Sequence, residues 1–188
     1  QSVLGRKPHE INQMGISRVF QTPEIFTDLT VFENVMIPCF AKRDGAFRMH
    51  AIESIMNERG IREQAEAMLA DVNMLEKRHM VASSLSRGDK RRLEMAMCLV
   101  QDPKLLLLDE PTAGMARADT ENTISLLKEI RQSRGITMAI IEHDMNVVFS
   151  LAERITVLAQ GTPLVEDIPE NIKGHPKVRE AYLGEAQV

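Results

Sequence analysis

Tryptophan is absent from this chain, tyrosine occurs once and phenylalanine six times in 188 residues. A core so poor in aromatics has to be filled by aliphatic side chains, and the 12 methionines read mostly as adaptable packing rather than as a binding face. Cysteine is scarce too. Cys39 and Cys98 lie far apart with no ligand spacing, as expected of reduced thiols in a cytosolic protein. Basic stripes are missing: a formal net charge of −4 and a pI near 5.8 argue against direct nucleic-acid binding. No apolar run approaches the ~18–20 residues of a membrane span. The N-terminus lacks the pattern of a signal peptide, so a membrane role would have to come through a partner. The length is that of one ordinary domain with a real core.

What is present centres on Lys104-Leu-Leu-Leu-Leu-Asp-Glu-Pro-Thr112. A short apolar run ended by a turn signal reads as a strand buried on both faces of a parallel sheet. Asp109 and Glu110 then emerge beyond its carboxyl end, where open α/β sheets place ligands. Neighbouring residues on an extended chain point opposite ways, so one carboxylate can hold a hard metal ion while the other handles a water.

Earlier in the chain, His9 to Met14 forms a short helix stopped by Gly15, and Ile16–Phe20 forms a strand ended by Gln21-Thr-Pro23. The amide of Gln21 can ligate a cation, position a water or merely cap a turn. Residues 27–82 are helical in pattern, a lobe suited to docking a partner. Thr30 and Glu33 have capping-box spacing, and Pro38 is expected to kink or shorten the helix they start. Residues 42–50 read as a loop, and a helical pattern runs from about Ala51 to Met74.

Ser86 and Asp89 have capping-box spacing at the start of a helix whose buried face carries Leu93, Ala96, Met97 and Val100. The free N–H groups of such a helix start can take a phosphate, and Gly88 would permit close approach. Further on come a helix from about Arg117 to Ser133, a buried strand Ile136–Ile141 with Glu142-His143-Asp144 at its end, a helix from about Met145, a strand Arg154–Leu158 and a turn at Gly161-Thr-Pro163.

Taken together, these stretches resemble the ATP-binding subunits of ABC transporters. The family's elements stand in order: Phe20-Gln21 as the Gln loop, Leu85-Ser-Arg-Gly-Asp89 as the signature, Leu105 to Asp109 with Glu110 as Walker B, and His143 as the switch histidine. The likeness is nearest to branched-chain amino acid importer ATPases, on Arg18-Val-Phe-Gln21, Thr30-Val-Phe-Glu-Asn34, Lys90-Arg-Arg-Leu-Glu94, Ile141-Glu-His-Asp-Met145 and Ala181-Tyr-Leu-Gly-Glu-Ala186. Urea-import ATPases are similar around Thr112–Met115, and lipopolysaccharide-export ATPases share the Tyr-Leu-Gly-Glu ending.

The resemblance implies an α/β fold: a RecA-like P-loop NTPase core with a mostly parallel sheet and an inserted helical subdomain, incomplete at the N-terminus. The helical subdomain would span about 27–95, the core 1–26 and 96–160, and a C-terminal extension 161–188. It implies ATP and Mg²⁺ as cofactors. Asp109 and Gln21 would reach the metal, Glu110 would polarise the attacking water, and His143 would contact the γ-phosphate. Ser86, Arg87, Gly88 and Asp89 would cap the nucleotide of a second ATPase subunit. Permease subunits would hold the protein peripherally at the cytoplasmic face of the membrane.

Three departures from the family pattern stand out. No Gly-x4-Gly-Lys-Ser/Thr occurs in the chain. That phosphate cradle is expected upstream of residue 1, and without it the chain is expected neither to bind ATP tightly nor to hydrolyse it. Asp89 replaces the usual glutamine and brings a negative charge toward an anion, which Arg87 can partly offset. Ala116 replaces a polar residue after Walker B. Against the importer reading stand a lipopolysaccharide-export-type ATPase and a non-catalytic interaction module with a degenerate nucleotide site. A chromosome-maintenance ATPase would need long heptad arms, which the sequence lacks.

Overall fold

The computed structural model describes residues 2–44 and 51–182, and it divides into two compact units, 1–141 and 142–188. The first unit is built on a three-stranded parallel sheet of β1 (Ile16–Val19), β2 (Leu105–Asp109) and β3 (Thr137–Ile141) in that order. Register runs from Ile16↔Leu105 and Leu105↔Thr137 to Asp109↔Ile141, so the strands end level. An α/β fold with a parallel sheet is therefore as expected. The short helix α1 (Pro8–Gln13) precedes β1. Between β1 and β2 the described residues form three α-helices: α2 (Val31–Asp44), α3 (Ala51–Asp71) and α4 (Arg87–Leu99). α5 (Arg117–Arg134) connects β2 to β3 and stops at the left-handed Gly135.

The core is aliphatic, as the composition requires. Val31, Val35, Met36, Ala65, Met68 and Leu69 are buried on α2 and α3, and Leu93, Met95, Ala96 and Leu99 on α4. Thr30 and Glu33 form the capping box: the Thr30 amide donates to Glu33 Oε2 at 2.8 Å and the Glu33 amide to Thr30 Oγ1 at 3.2 Å.

Several expectations need correcting. Pro38 does not shorten α2, which continues through it to Asp44. A proline frees the carbonyl one turn earlier, and here its own carbonyl also gains a partner, accepting from Gln101 Nε2 at 2.7 Å. Residues 42–44 belong to this helix rather than to a loop, while 45–50 and 183–188 lie outside the described residues. β2 buries Leu106 and Leu108 fully, yet Leu105 and Leu107 on its other face are only half covered. β3 is not a buried strand: Thr137, Ala139 and Ile141 are exposed, Ile141 by 68%. It is an edge of the described sheet, paired on one side only, and periodicity cannot distinguish an apolar edge strand from a central one.

The second unit opens with α6 (Met145–Leu151), capped by Asp144, whose carboxylate accepts from the Asn146 amide at 2.8 Å. β4 (Ile155–Ala159) and β5 (Thr162–Asp167) form an antiparallel hairpin. Its turn falls at Gln160 (φ 50°) and Gly161 (φ 78°), both left-handed as tight hairpin turns require. Thr162 and Pro163, read as part of a turn, therefore lie in β5. α7 (Pro169–Gly174) and α8 (Pro176–Tyr182) follow, and Ile155, Val157, Ile172 and Val178 make the unit's small core.

Candidate functional site

Strand β2, the loop after β1 and the start of α4 meet around two carboxylates. Asp109 is the last residue of β2, and its Oδ2 accepts from Arg18 Nη2 on β1 at 2.8 Å. The Arg18 guanidinium also lies 4.8 Å from the centre of the Phe20 ring. Glu110 takes Gln21 instead: Gln21 Nε2 donates to Glu110 Oε2 at 2.7 Å. The two carboxylates do diverge, but strand alternation is not the cause. The strand has ended, and Glu110 adopts a left-handed backbone with φ 43°. A non-glycine residue in that region is strained and persists only where its surroundings fix it.

Its surroundings are specific. The Glu110 amide donates to the Ile141 carbonyl at 2.9 Å. Its carbonyl accepts from Arg91 Nη2 at 3.0 Å, and the same nitrogen donates to the Asp109 carbonyl at 2.7 Å. Arg91 Nε adds a long contact to the Pro111 carbonyl at 3.4 Å. One turn along α4, Glu94 pairs with Arg91 at 3.0 Å and accepts from the backbone amides of Phe20 at 3.0 Å and Glu24 at 3.4 Å. Arg91 and Glu94 are each 3% exposed. Burial pushes the Glu94 carboxyl above the usual carboxylate range, against the pull of the Phe20 amide and the Arg91 guanidinium. Asn34, fully buried on α2, ties down the rest of the Gln21 loop by pairing its amide with the Phe26 backbone in both directions, at 2.8 and 3.0 Å.

At the start of α4, Ser86 is the N-cap and its hydroxyl accepts from the Asp89 amide at 3.1 Å. Asp89 faces Lys77 at 2.5 Å and Arg92 at 3.7 Å. Burial alone would raise the Asp89 pKa, but hydrogen bonds from Lys77 and Ser86, with the charges of Lys77 and Arg92, bring it below the usual value. The acid is thus neutralised within its own lobe. Gly88 is buried, and the Asp119 carboxyl carbon lies 3.5 Å from where a Cβ would stand. Arg87 packs across the turn after Glu110: a Cβ on Gly114 (φ 67°) would collide with its guanidinium. Gln21, Arg87, Arg91, Glu110, Ala113 and Met115 surround a cleft of about 10 Å³, room for roughly one water.

Gln21, Arg87 and Glu110 are thus brought together, and Asp109 sits beside them with a different partner. Ser86 and Asp89 form the helix cap. His143 lies two residues beyond β3, in the second unit, with its side chain 72% exposed and Nδ1 3.9 Å from the buried carboxylate of Glu142. Cys39 and Cys98 are free, and burial pushes their thiols up to about 11 and about 12.

Arg18, Lys77, Arg91, Glu94 and Asp119 all shape this site, and none was identified from the sequence as doing so. Arg91 and Glu94 left a trace, as an i,i+3 charge pair, but such pairs ordinarily lie on a solvated helix face. Asp119 and Lys77 left none, because their partners are set by packing between distant segments.

Asp109 and Gln21 offer oxygen donors of the kind Mg²⁺ prefers, one carboxylate and one amide, and Mg²⁺ takes its remaining ligands from phosphates and water. No group of three acidic, histidine or cysteine side chains able to hold a metal occurs among the described residues. The donors therefore fit a magnesium ion that arrives with a nucleotide rather than one caged by protein. None of the described helices is long and apolar enough to cross a membrane.

A family model described as ABC transporter matches residues 2–113. The high-affinity branched-chain amino acid transport ATP-binding protein BraF of Pseudomonas aeruginosa is 35% identical over 191 aligned residues, covering 99% of this chain and 74% of BraF. Among solved structures, the ADP conformation of an ATP-binding cassette of an ABC transporter superposes with a TM-score of 0.77 at 27% identity, covering 98% of this chain and 74% of that one. A dimeric post-hydrolysis ATP-binding cassette bound to ADP and Pi superposes with a TM-score of 0.70 at 26% identity, covering 88% and 68%.

Proposed function

This chain belongs to the ABC transporter ATP-binding family, and from that premise we propose that it is the ATPase subunit of an importer for branched-chain amino acids or a related small polar solute. The single observation that carries the catalytic part is the 2.7 Å hydrogen bond from Gln21 to Glu110 at the end of β2. It brings the loop amide into direct contact with the carboxylate that, on this reading, polarises the attacking water. Glu110 orients and polarises that water and Gln21 senses the membrane partner, while the family resemblance alone assigns His143 to the γ-phosphate. Asp109, with Gln21, would hold Mg²⁺, which when bound neutralises phosphate charge. Phosphoryl transfer depends on such positioning and charge neutralisation more than on covalent chemistry.

Ser86, Arg87, Gly88 and Asp89 serve a nucleotide held mainly by a second ATPase subunit, in a head-to-tail pair. A phosphate reaching Gly88 would meet the Asp119 carboxylate, so the paired state requires that acid to turn aside. These 188 residues alone are inactive on this reading, since they contain no Gly-x4-Gly-Lys-Ser/Thr. The helical subdomain of about 27–95 docks on permease subunits at the cytoplasmic face. Support comes from the part-exposed Ile37 on α2 and from the groove of about 860 Å³ that Ile37, Pro38, Ala41 and Lys42 of that subdomain help line.

The test is Glu110→Gln in the complete native protein assembled with its permease. ATP hydrolysis should fall at least about 100-fold while ATP stays bound. Undiminished hydrolysis would remove Glu110 from this role. ATP-driven uptake of leucine by the assembled transporter tests the solute.

A further inference from the structure

Arg91 and Glu94 form a buried pair that does more than join two charges. All of their remaining hydrogen bonds go to backbone, and that backbone belongs to the two segments carrying Gln21 and Glu110. Glu94 accepts from Phe20 and Glu24, which flank Gln21 on both sides. Arg91 donates to the carbonyls of Asp109, Glu110 and Pro111, the residue with the strained backbone and its two neighbours. We infer that this pair is a positioning device for the reaction: a clamp on α4 that fixes the Gln21 loop and the left-handed turn of Glu110 in one register, so that their side chains meet.

The left-handed turn is a state the chain avoids without support, and Arg91 holds its carbonyl from one side as Ile141 holds its amide from the other. Glu94 is the partner of the Phe20 and Glu24 amides, so the loop on either side of Gln21 is fastened to the same helix turn that fastens Glu110. Because Ser86 and Arg87 begin that helix, a displacement of its start on pairing with a second subunit is carried to both catalytic side chains at once. A fixed distance between them matters because a shift of about 1 Å in a catalytic group can cost on the order of 100-fold in rate.

This inference rests on the proposed role of Glu110, and its test is chosen to fail separately. The double variant Arg91→Met/Glu94→Met replaces the pair by apolar side chains of similar volume, a change that need not unfold a protein. In the complete assembled protein, kcat for ATP hydrolysis is expected to fall roughly 10–100-fold while KM for ATP changes less than about threefold. Hydrogen exchange at the Phe20, Glu24 and Glu110 amides should accelerate at least about tenfold. A folded double variant with unchanged kcat overturns the clamp, whatever its exchange shows. If the double variant does not fold, Arg91→Lys decides, since an ammonium keeps the charge but cannot span three carbonyls: a drop in kcat supports the clamp and an unchanged kcat overturns it. Glu110→Gln is run alongside. Full hydrolysis in that variant sinks the role of Glu110, while unaltered exchange at the three amides in the folded double variant sinks the clamp on its own.

Discussion

On α4, Ser86 and Asp89 stand three residues apart, and so do Arg91 and Glu94, within the first two turns of one helix. The first pair is a cap. It satisfies an N–H that water could otherwise serve, and its acid is balanced by Lys77 and Arg92 at the edge of the lobe. The second pair is shut away from water, and its donors and acceptors are spent on two other segments of chain. Equal spacing therefore says little about consequence. A cap contributes about 1 kcal/mol because the unfolded helix end can be hydrated instead. A buried ion pair contributes little net stability, yet breaking it on one side is expensive because the remaining charge has no water to return to.

The sharpest way to break this comparison is to remove one half of the buried pair. Arg91→Ala should destabilise the chain by about 3–5 kcal/mol, read from urea unfolding, because Glu94 is left buried beside a cavity with its guanidinium gone. A loss below about 1 kcal/mol would place Arg91 with the cap residues and show that water reaches Glu94 freely.

Next in size is the contact between Arg87 and the turn after Glu110. Gly114→Ala puts a side chain where the Arg87 guanidinium lies and forces alanine into a left-handed backbone. The backbone alone costs about 1–2 kcal/mol. A loss no larger than that backbone cost would mean that Arg87 swings away without penalty and does not brace the turn.

How much of this was legible follows the same division. The cap at Ser86, the capping box at Thr30 and the four-leucine strand are local: each is decided by residues within a few positions, and each appears where the pattern puts it. The meeting of Gln21 with Glu110 was foreshadowed only as two polar groups at strand ends, and the level register of β1 and β2 brings them together. The clamp was illegible because Arg91 reaches carbonyls 18 to 20 residues away and Glu94 an amide 74 away. Nothing in a helix marks which of its charges will be covered. β3 shows the converse: an apolar run announced a buried strand, yet burial depends on neighbours, and this strand has one. Glu110 shows a third kind of failure, since a left-handed residue that is neither glycine nor asparagine carries no sequence mark.

The smallest expected effect sharpens the cap side. Asp89 titrates below its ordinary value in the folded chain because Lys77, Ser86 and Arg92 favour the carboxylate over the cost of its partial burial. Its contribution to stability is therefore complete above the unfolded-state pKa, near about 4, and is lost as pH falls through the lower folded value. Asp89→Asn should cost about 1 kcal/mol at pH 7, since the largely covered carboxylate loses the charges of Lys77 and Arg92 while an amide can still reach Ser86. That deficit should shrink as urea unfolding is repeated from pH 5 down to pH 3, where the parent's own acid becomes protonated. A deficit that stays constant over this range would mean that Asp89 acts through hydrogen bonds an amide cannot replace rather than through its charge. The lysine and arginine around it would then be bystanders, and the cap would resemble the buried pair more than its place at a helix start suggests.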